Sequence, residues 1–232
     1  MSGVNQPRAL DLFCGAGGAT RGLQMAGFHV TGVDINPQPR YVGDKFCQDN
    51  ALTFPLEGYD FIWASPPCQA YSVASARWRN SGAKTYPDLL DPTRERIKTA
   101  RCFYVIENVE GAGRRMKSPF RLCGQMFDIG VVRHRLFEAN WFCLVPSHVR
   151  CAGAVQGPNG TYKAVTVAGH GGNSRTFKLA AWKEAMGIDW MTRHELTQSI
   201  PPAYSEFIGK QAVQCIQNLG VEGEEGEHVD NG

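Results

Sequence analysis

The chain predicts an α/β domain built on a mostly parallel sheet, and three observations carry that expectation. Apolar runs of strand length recur at residues 8–13, 28–33, 59–64 and 102–106. Helical patterns fall between such runs, as parallel neighbours require, because a crossover must return the chain to the same edge of the sheet. The later runs also end on residues that can do chemistry: Asp34, the turn Pro66-Pro67-Cys68, and Glu107 with Asn108. Ligands of parallel sheets gather beyond the carboxyl ends of the strands, so Asp34, Cys68 and Glu107 are expected on one rim.

The first run stops in the glycine turn Cys14-Gly15-Ala16-Gly17-Gly18, after which residues 19–26 read as a helix that Gly27 ends. Residues 28–33 form a second buried strand closing on Asp34. After residues 59–64 two prolines forbid continuation, which leaves Cys68 on a loop at a strand end. From residue 140 to 178 the chain turns glycine-rich and irregular and reads as a small inserted domain. Residues 179–186 are helical again. Residues 203–219 carry Phe207, Ile208, Ala212, Val213, Ile216 and Leu219 at helical spacing and pack back on the main domain. The division is therefore 1–139 for the main domain, 140–178 for the insertion, 179–219 for the return, and 220–232 for an acidic tail expected to be disordered.

At 232 residues the chain can bury one good core but not two full domains. No apolar stretch approaches the roughly 20 residues a membrane span needs, and residues 1–7 lack an apolar signal region, so a cytoplasmic protein without membrane contact is expected. Eight cysteines are scattered through a chain well above disulfide-scaffold size, which points to reduced thiols. The formal charge of +2 conceals an asymmetry, because residues 221–232 hold five acids and no Lys or Arg. Without them 17 acidic residues face 24 basic ones, enough excess for the body to approach a polyanion.

The glycine turn lets a backbone approach a ligand, the following helix offers free amides, and an acid placed as Asp34 is suits a ribose diol. The spacing departs from GxGxxG, so a nucleoside without a pyrophosphate fits better than a dinucleotide. A thiol on a Pro-Pro loop, as at Cys68, is exposed and rigidly aimed, whereas Cys102 and Cys215 lie within regular elements. A carboxylate ending an apolar strand, as Glu107 does, is partly desolvated; its neutral form is favoured and it can donate a proton. Each signal alone also fits a tight turn, a structural thiol or an ion pair.

Together the spellings are specific. Residues 11–18 (Asp-Leu-Phe-Cys-Gly-Ala-Gly-Gly), Val33-Asp34, Pro66-Pro67-Cys68-Gln69, Glu107-Asn108-Val109 and Arg133-His134-Arg135 occur in that order, and on them the chain resembles the cytosine-5 DNA methyltransferase family, in a compact, bacteriophage-like form. The resemblance runs from residue 9 to 219 and is weakest in the insertion. It implies a Rossmann-like S-adenosylmethionine-dependent methyltransferase fold in which 140–178 recognises the target. It implies S-adenosylmethionine as cofactor, held by Phe13, Gly15, Gly17, Asp34, Ile35, Asp49, Pro66 and Lys210. Cys68 would add to carbon 6 of a flipped cytosine, Glu107 would act at ring N3 and Arg135 at O2, Asn108 would orient the nucleophile loop, and Arg133 would sit near phosphates. Double-stranded DNA, bound by a monomer, would meet Gln69, Ser72, Arg77, Arg150, Lys163 and Arg175. A role in restriction and modification belongs to the same resemblance.

Two spellings depart from the family. Val131 stands where a glutamine is usual, and Lys210 replaces the asparagine of a Gly-Asn pair, with a donor carrying an extra carboxylate as the sharper explanation and a solvent-facing lysine as the plainer one. Residues 75–81, with Arg77, Trp78 and Arg79, read as a DNA-contacting loop or a solvated connection. Cys143, His148 and Cys151 cluster in sequence, but with no CxxC pair and no fourth ligand no metal is expected. RNA as substrate, and a non-catalytic DNA-binding protein on the same fold, are the alternative functions.

Overall fold

The computed structural model describes residues 6–148, 164–167 and 177–225. Its centre is a seven-stranded sheet in the order β3-β2-β1-β4-β5-β7-β6, with β1 Arg8–Leu12, β2 His29–Asp34, β3 Lys45–Gln48, β4 Phe61–Ala64, β5 Phe103–Asn108, β6 Phe120–Leu122 and β7 Arg135–Ala139. The first five strands run parallel, and β7 pairs antiparallel with β5 and β6. Strand order reverses between β1 and β4, so their carboxyl ends open onto the crevice where such folds take ligands.

Alternation along the strands decides what each face buries. Phe61 and Trp63 of β4 point to one side with Val30, Val105 and Phe137, under α1 (Gly18–Met25) and α6 (Pro202–Glu225), which contribute Leu23, Tyr204 and Ile208. Ile62 and Ala64 point to the other side with Leu10, Leu12, Val33 and Ile106, covered by Leu90 and Ile97 of α3 (Leu90–Ile97). A third cluster joins Trp182 and Met186 of α4 (Leu179–Met186) and Leu196 of α5 (Arg193–Gln198) to Ala16 and Val131. Val131 is fully buried there, so the position where the family pattern has a glutamine serves packing in this chain.

Several elements depart from the sequence reading. Strand β3 escaped it because Lys45-Phe46-Cys47-Gln48 is half polar and edges the sheet. The hairpin of β6 and β7 escaped it because β6 is three residues long. Residues 75–81 are not a loop but fall largely in α2 (Val73–Asn80). Helix α6 runs past residue 220 to Glu225, because extending a helix that is already packed costs little even through glycine, at about 1 kcal/mol each relative to alanine. Of the insertion, residues 164–167 are pinned to the main domain through Val132 N to Val165 O at 2.9 Å and Val165 N to Gly130 O at 2.7 Å. No helix among the described residues is long and apolar enough to cross a membrane.

Candidate active site

Beyond the carboxyl ends of β1, β2, β4 and β5 lies a cavity of about 490 Å³, lined among others by Asp11, Phe13, Gly15, Asp34, Cys68 and Glu107. It divides into two halves. In the first, Phe13, Gly15 and Gly17 take left-handed backbone with φ of 60, 50 and 87°, which turns the chain sharply from β1 into α1. At Gly15 the space around an added Cβ is open, so the turn presents bare backbone to the cavity. Asp34 is held in place by Gly15 N on Oδ2 at 3.0 Å and Asn36 N on Oδ1 at 2.9 Å. Beside it Ile35 is 67% exposed, an apolar side chain left against the cavity.

Asp11 lies deeper. It is fully buried, receives Thr20 Oγ1 on Oδ2 at 2.6 Å, and its Oδ1 has no partner among the described residues. Burial, reinforced by the nearby Asp34 and Glu107 and opposed by Thr20, pushes its carboxyl up to about 7. A cavity of drug-like size that combines a fixed carboxylate, a free backbone turn, an exposed apolar residue and a buried carboxylate oxygen in want of a partner fits a cationic nucleoside such as S-adenosylmethionine.

The second half surrounds Cys68, which opens a 3-10 turn over Cys68–Ala70 directly after Pro66 and Pro67. Asn108 holds that turn from below, giving Nδ2–H to Pro66 O at 3.0 Å. Arg79 of α2 holds it from the side, donating to Gln69 O at 2.7 Å and Ser72 O at 2.8 Å. Glu107 and Arg135 meet because β7 runs antiparallel to β5: Glu107 pairs with Phe137, so Arg135 is its diagonal neighbour on the same face. Arg135 Nε lies 3.0 Å from Glu107 Oε1.

The charges of this half oppose one another. Burial raises the Glu107 carboxyl above its ordinary value despite Arg135, Ser65 and Arg133, which pull it down. The Cys68 thiol is also held above its ordinary value, by burial first and then by Glu107, against the two arginines. Burial therefore shifts both groups toward their protonated forms, which favours Glu107 as a proton donor and leaves the Cys68 thiol in need of a substrate-driven change before it attacks.

Of the sequence-predicted residues, Phe13, Gly15, Asp34, Ile35, Pro66, Cys68, Gln69, Glu107 and Arg135 line the cavity. Asn108 supports it from behind, and Gly17 shapes the turn as the N-cap of α1. Arg133 does not face phosphates. It is 4% exposed and spends its guanidinium on Val167 O and Thr197 O, both at 2.8 Å, tying the insertion and α5 to the sheet. Burial and the neighbouring Arg135 lower its pKa to about 9. Lys210, expected at the cofactor from the resemblance, does not line the cavity; it is 62% exposed and pairs with Glu206 at 2.7 Å one helical turn back, in keeping with the plainer, solvent-facing reading. Asp49 is exposed just past β3 and does not line the cavity. Ser72 sits in the turn before α2, and Arg77 is exposed on α2 against Trp78, its guanidinium 5.6 Å from the ring centroid. Arg150, Lys163 and Arg175 fall outside the described residues.

Sequence reasoning missed Asp11 as a lining residue, although an acid inside the apolar run Leu10-Asp11-Leu12 was a visible signal. It also missed the wall formed by His194, Thr197, Gln198 and Ser199 from α5 and its end, for which the sequence holds no signal.

Residues 8–118, which include both halves of the cavity except Arg135 and the α5 wall, match the family model for C-5 cytosine-specific DNA methylase. No curated protein matches the chain. Solved structures similar to it include a DNA modification methyltransferase encoded within an E. coli prophage, at 15% identity and a TM-score of 0.58 over 91% of this chain and 99% of that one. They include the S. pombe Dnmt2 methyltransferase, at 13% and 0.57 over 92% and 99%, and the Entamoeba histolytica methyltransferase EhMeth, at 10% and 0.57 over 91% and 99%. At such identities the likeness shows the fold. The matched stretch carries the glycine turn, the Pro-Pro-Cys-Gln turn and the Glu-Asn-Val strand end, so over residues 8–118 the chain carries a C-5 cytosine-specific DNA methylase domain.

Proposed function

We propose that Cys68, Glu107 and Arg135 form the reacting group of this DNA cytosine-5 methyltransferase, with Asn108 as the residue that positions the nucleophile. The observation that carries the reading is their convergence on one cavity, at the ends of neighbouring strands, beside a turn built for a nucleoside. A target base inside a duplex cannot reach a rim this enclosed, so the cytosine leaves the stack to enter it.

Once the base is seated, the Cys68 sulfur adds to carbon 6 as the thiol proton passes to water, and the ring electrons move toward carbon 5. Glu107, its acid form favoured by burial, gives a proton or a strong hydrogen bond to ring N3. Arg135 donates to the O2 carbonyl and stabilises the charge developing there. S-adenosylmethionine, when bound against Asp34, Gly15 and Asp11, supplies the electrophilic methyl that carbon 5 accepts. Loss of the carbon 5 proton to water, return of the N3 proton to Glu107 and expulsion of the Cys68 sulfur, which regains a proton from water, then restore aromaticity and free the enzyme. Residues 140–178 are read as the segment that recognises DNA. Four Lys or Arg residues within it, Arg150, Lys163, Arg175 and Lys178, with no Asp or Glu, support this.

The test combines product and adduct. The full chain is incubated with duplex DNA and S-adenosylmethionine, and the nucleosides are weighed; 5-methyl-2'-deoxycytidine formation is expected, falling at least about a thousandfold in Cys68→Ala. DNA carrying 5-fluorocytosine, whose fluorine cannot leave as a proton, should form a covalent complex that survives denaturation in wild type and not in Cys68→Ala. A trapped complex that persists in Cys68→Ala would overturn the assignment.

A further inference from the structure

At the β6–β7 hairpin, and not among the residues that line the cavity, Cys123, His134 and His148 bring their ligand atoms within 4.8 Å of one another. We propose that these three side chains form a binding site for a divalent transition-metal ion of the zinc class.

The donors come from three separate places. Cys123 follows β6 directly and is fully buried. His134 lies between Arg133 and Arg135, immediately before β7, and His148 follows β7 where the chain departs into the insertion. The imidazoles meet edge to face with centroids 5.3 Å apart. One thiolate and two imidazoles are a donor set suited to zinc, and three protein donors leave one tetrahedral position for water. At ordinary bond lengths of about 2.0–2.3 Å the donors of a tetrahedral ion lie roughly 3.4–3.7 Å apart, so movements of about an ångström complete the site.

The surroundings have the features of a metal's outer shell. Glu110 Oε2 lies 3.4 Å from His134 Nδ1, the carboxylate placement that orients a ligating histidine and leaves Nε2 for the ion. The Met126 amide donates to the Cys123 sulfur in a capping box, a contact a metal-bound thiolate retains. Arg121 is the opposing charge at this site, and Glu110 Oε1, 3.3 Å from it, offsets it. Binding displaces the Cys123 thiol proton to solvent, and the ion enters from the side of the partly exposed His148. The sequence sets Cys143, His148 and Cys151 near one another, and no metal is expected from them; Cys151 lies outside the described residues, and Cys143 packs near Gln211 of α6, so His148 is joined by Cys123 and His134 instead. Bound metal would staple the stem of the insertion to the segment that carries Arg133 and Arg135, the role metals serve in small irregular domains.

The probe is Co²⁺ alone, titrated into the reduced full chain. One equivalent should give the ligand-field absorption of a tetrahedral ion and a thiolate-to-cobalt charge-transfer band, with Zn²⁺ displacing it. Cys123→Ser should abolish the charge-transfer band. His148→Ala, whose far-ultraviolet circular dichroism should match wild type, should weaken binding at least tenfold. Glu110→Gln should weaken it by about tenfold. Absence of a stoichiometric thiolate band in wild type, a band that survives Cys123→Ser, or wild-type affinity in His148→Ala would each overturn the proposal. None of these readouts depends on methyl transfer.

Discussion

Asp11 shows how one side chain couples the cavity to pH. Its carboxyl sits at about 7 in the folded protein against 3.8 for an exposed one, because burial outweighs the Thr20 hydrogen bond. An acid whose folded pKa is raised holds its proton longer in the folded than in the unfolded chain. Its contribution to stability is therefore complete below about pH 4, declines as pH rises toward 7, and is lost above that. Asp11→Asn removes the loss, so the free variant should gain about 1–3 kcal/mol over wild type at pH 8 relative to pH 4, read from denaturant midpoints. The cofactor responds with the opposite sign. A cationic donor prefers the ionised carboxylate, so calorimetry should find wild-type affinity rising between pH 6 and 8 and Asp11→Asn binding more weakly with little pH dependence. A variant as pH-sensitive as wild type would show that another group carries the coupling.

At the scale of elements, α3 is fastened to the outer sheet by charge rather than by an apolar face alone. Arg94 is 2% exposed and grips Glu138 of β7 through Nε at 2.6 Å and Nη2 at 2.8 Å, while Nη2 also reaches Arg115 O. Glu138 accepts a further hydrogen bond from Lys117 N at 2.7 Å. Both charges are desolvated, so cutting one strands the other at a cost of about 3–5 kcal/mol, whereas replacing both with apolar residues is far milder. Arg94→Met and Glu138→Leu should each lower stability by that amount in urea titrations, and the double variant should recover more than half of the combined loss. Additive losses would mean that the pair does not act as a unit. The consequence reaches the site, because β7 is the strand that sets Arg135 against Glu107.

At the scale of the whole molecule, the first and last helices close the fold together. Helix α1 packs on α6 so tightly that a Cβ at Gly22 would lie 2.0 Å from Pro202 O and 2.2 Å from Ser205 Oγ. Gly22→Ala should therefore cost about 1–3 kcal/mol by forcing the chain ends apart, where a helix interior position would ordinarily favour alanine. A stabilised variant, measured by thermal and urea unfolding, would refute this account of the packing. The same closure explains what was legible before any coordinates. Apolar runs show where strands end, and a parallel sheet collects strand ends on one side, so Asp34, Cys68 and Glu107 were readable on one rim from local pattern, while Phe13 and Gly15 came from the family resemblance. Residues 140–178 offered no such pattern, and most of them lie outside the described residues. Sequence by itself determined the sheet's direction, the nucleophile's turn and the acid beside it, because these follow from backbone preferences within a few residues. Only tertiary structure decided that Arg135 meets Glu107 while Arg133 is buried, that Lys210 faces outward, that Asp11 lines the cavity, and that Cys123 gathers with His134 and His148. Those outcomes depend on antiparallel register and on helix rotation, which packing between distant segments sets and no local spacing encodes.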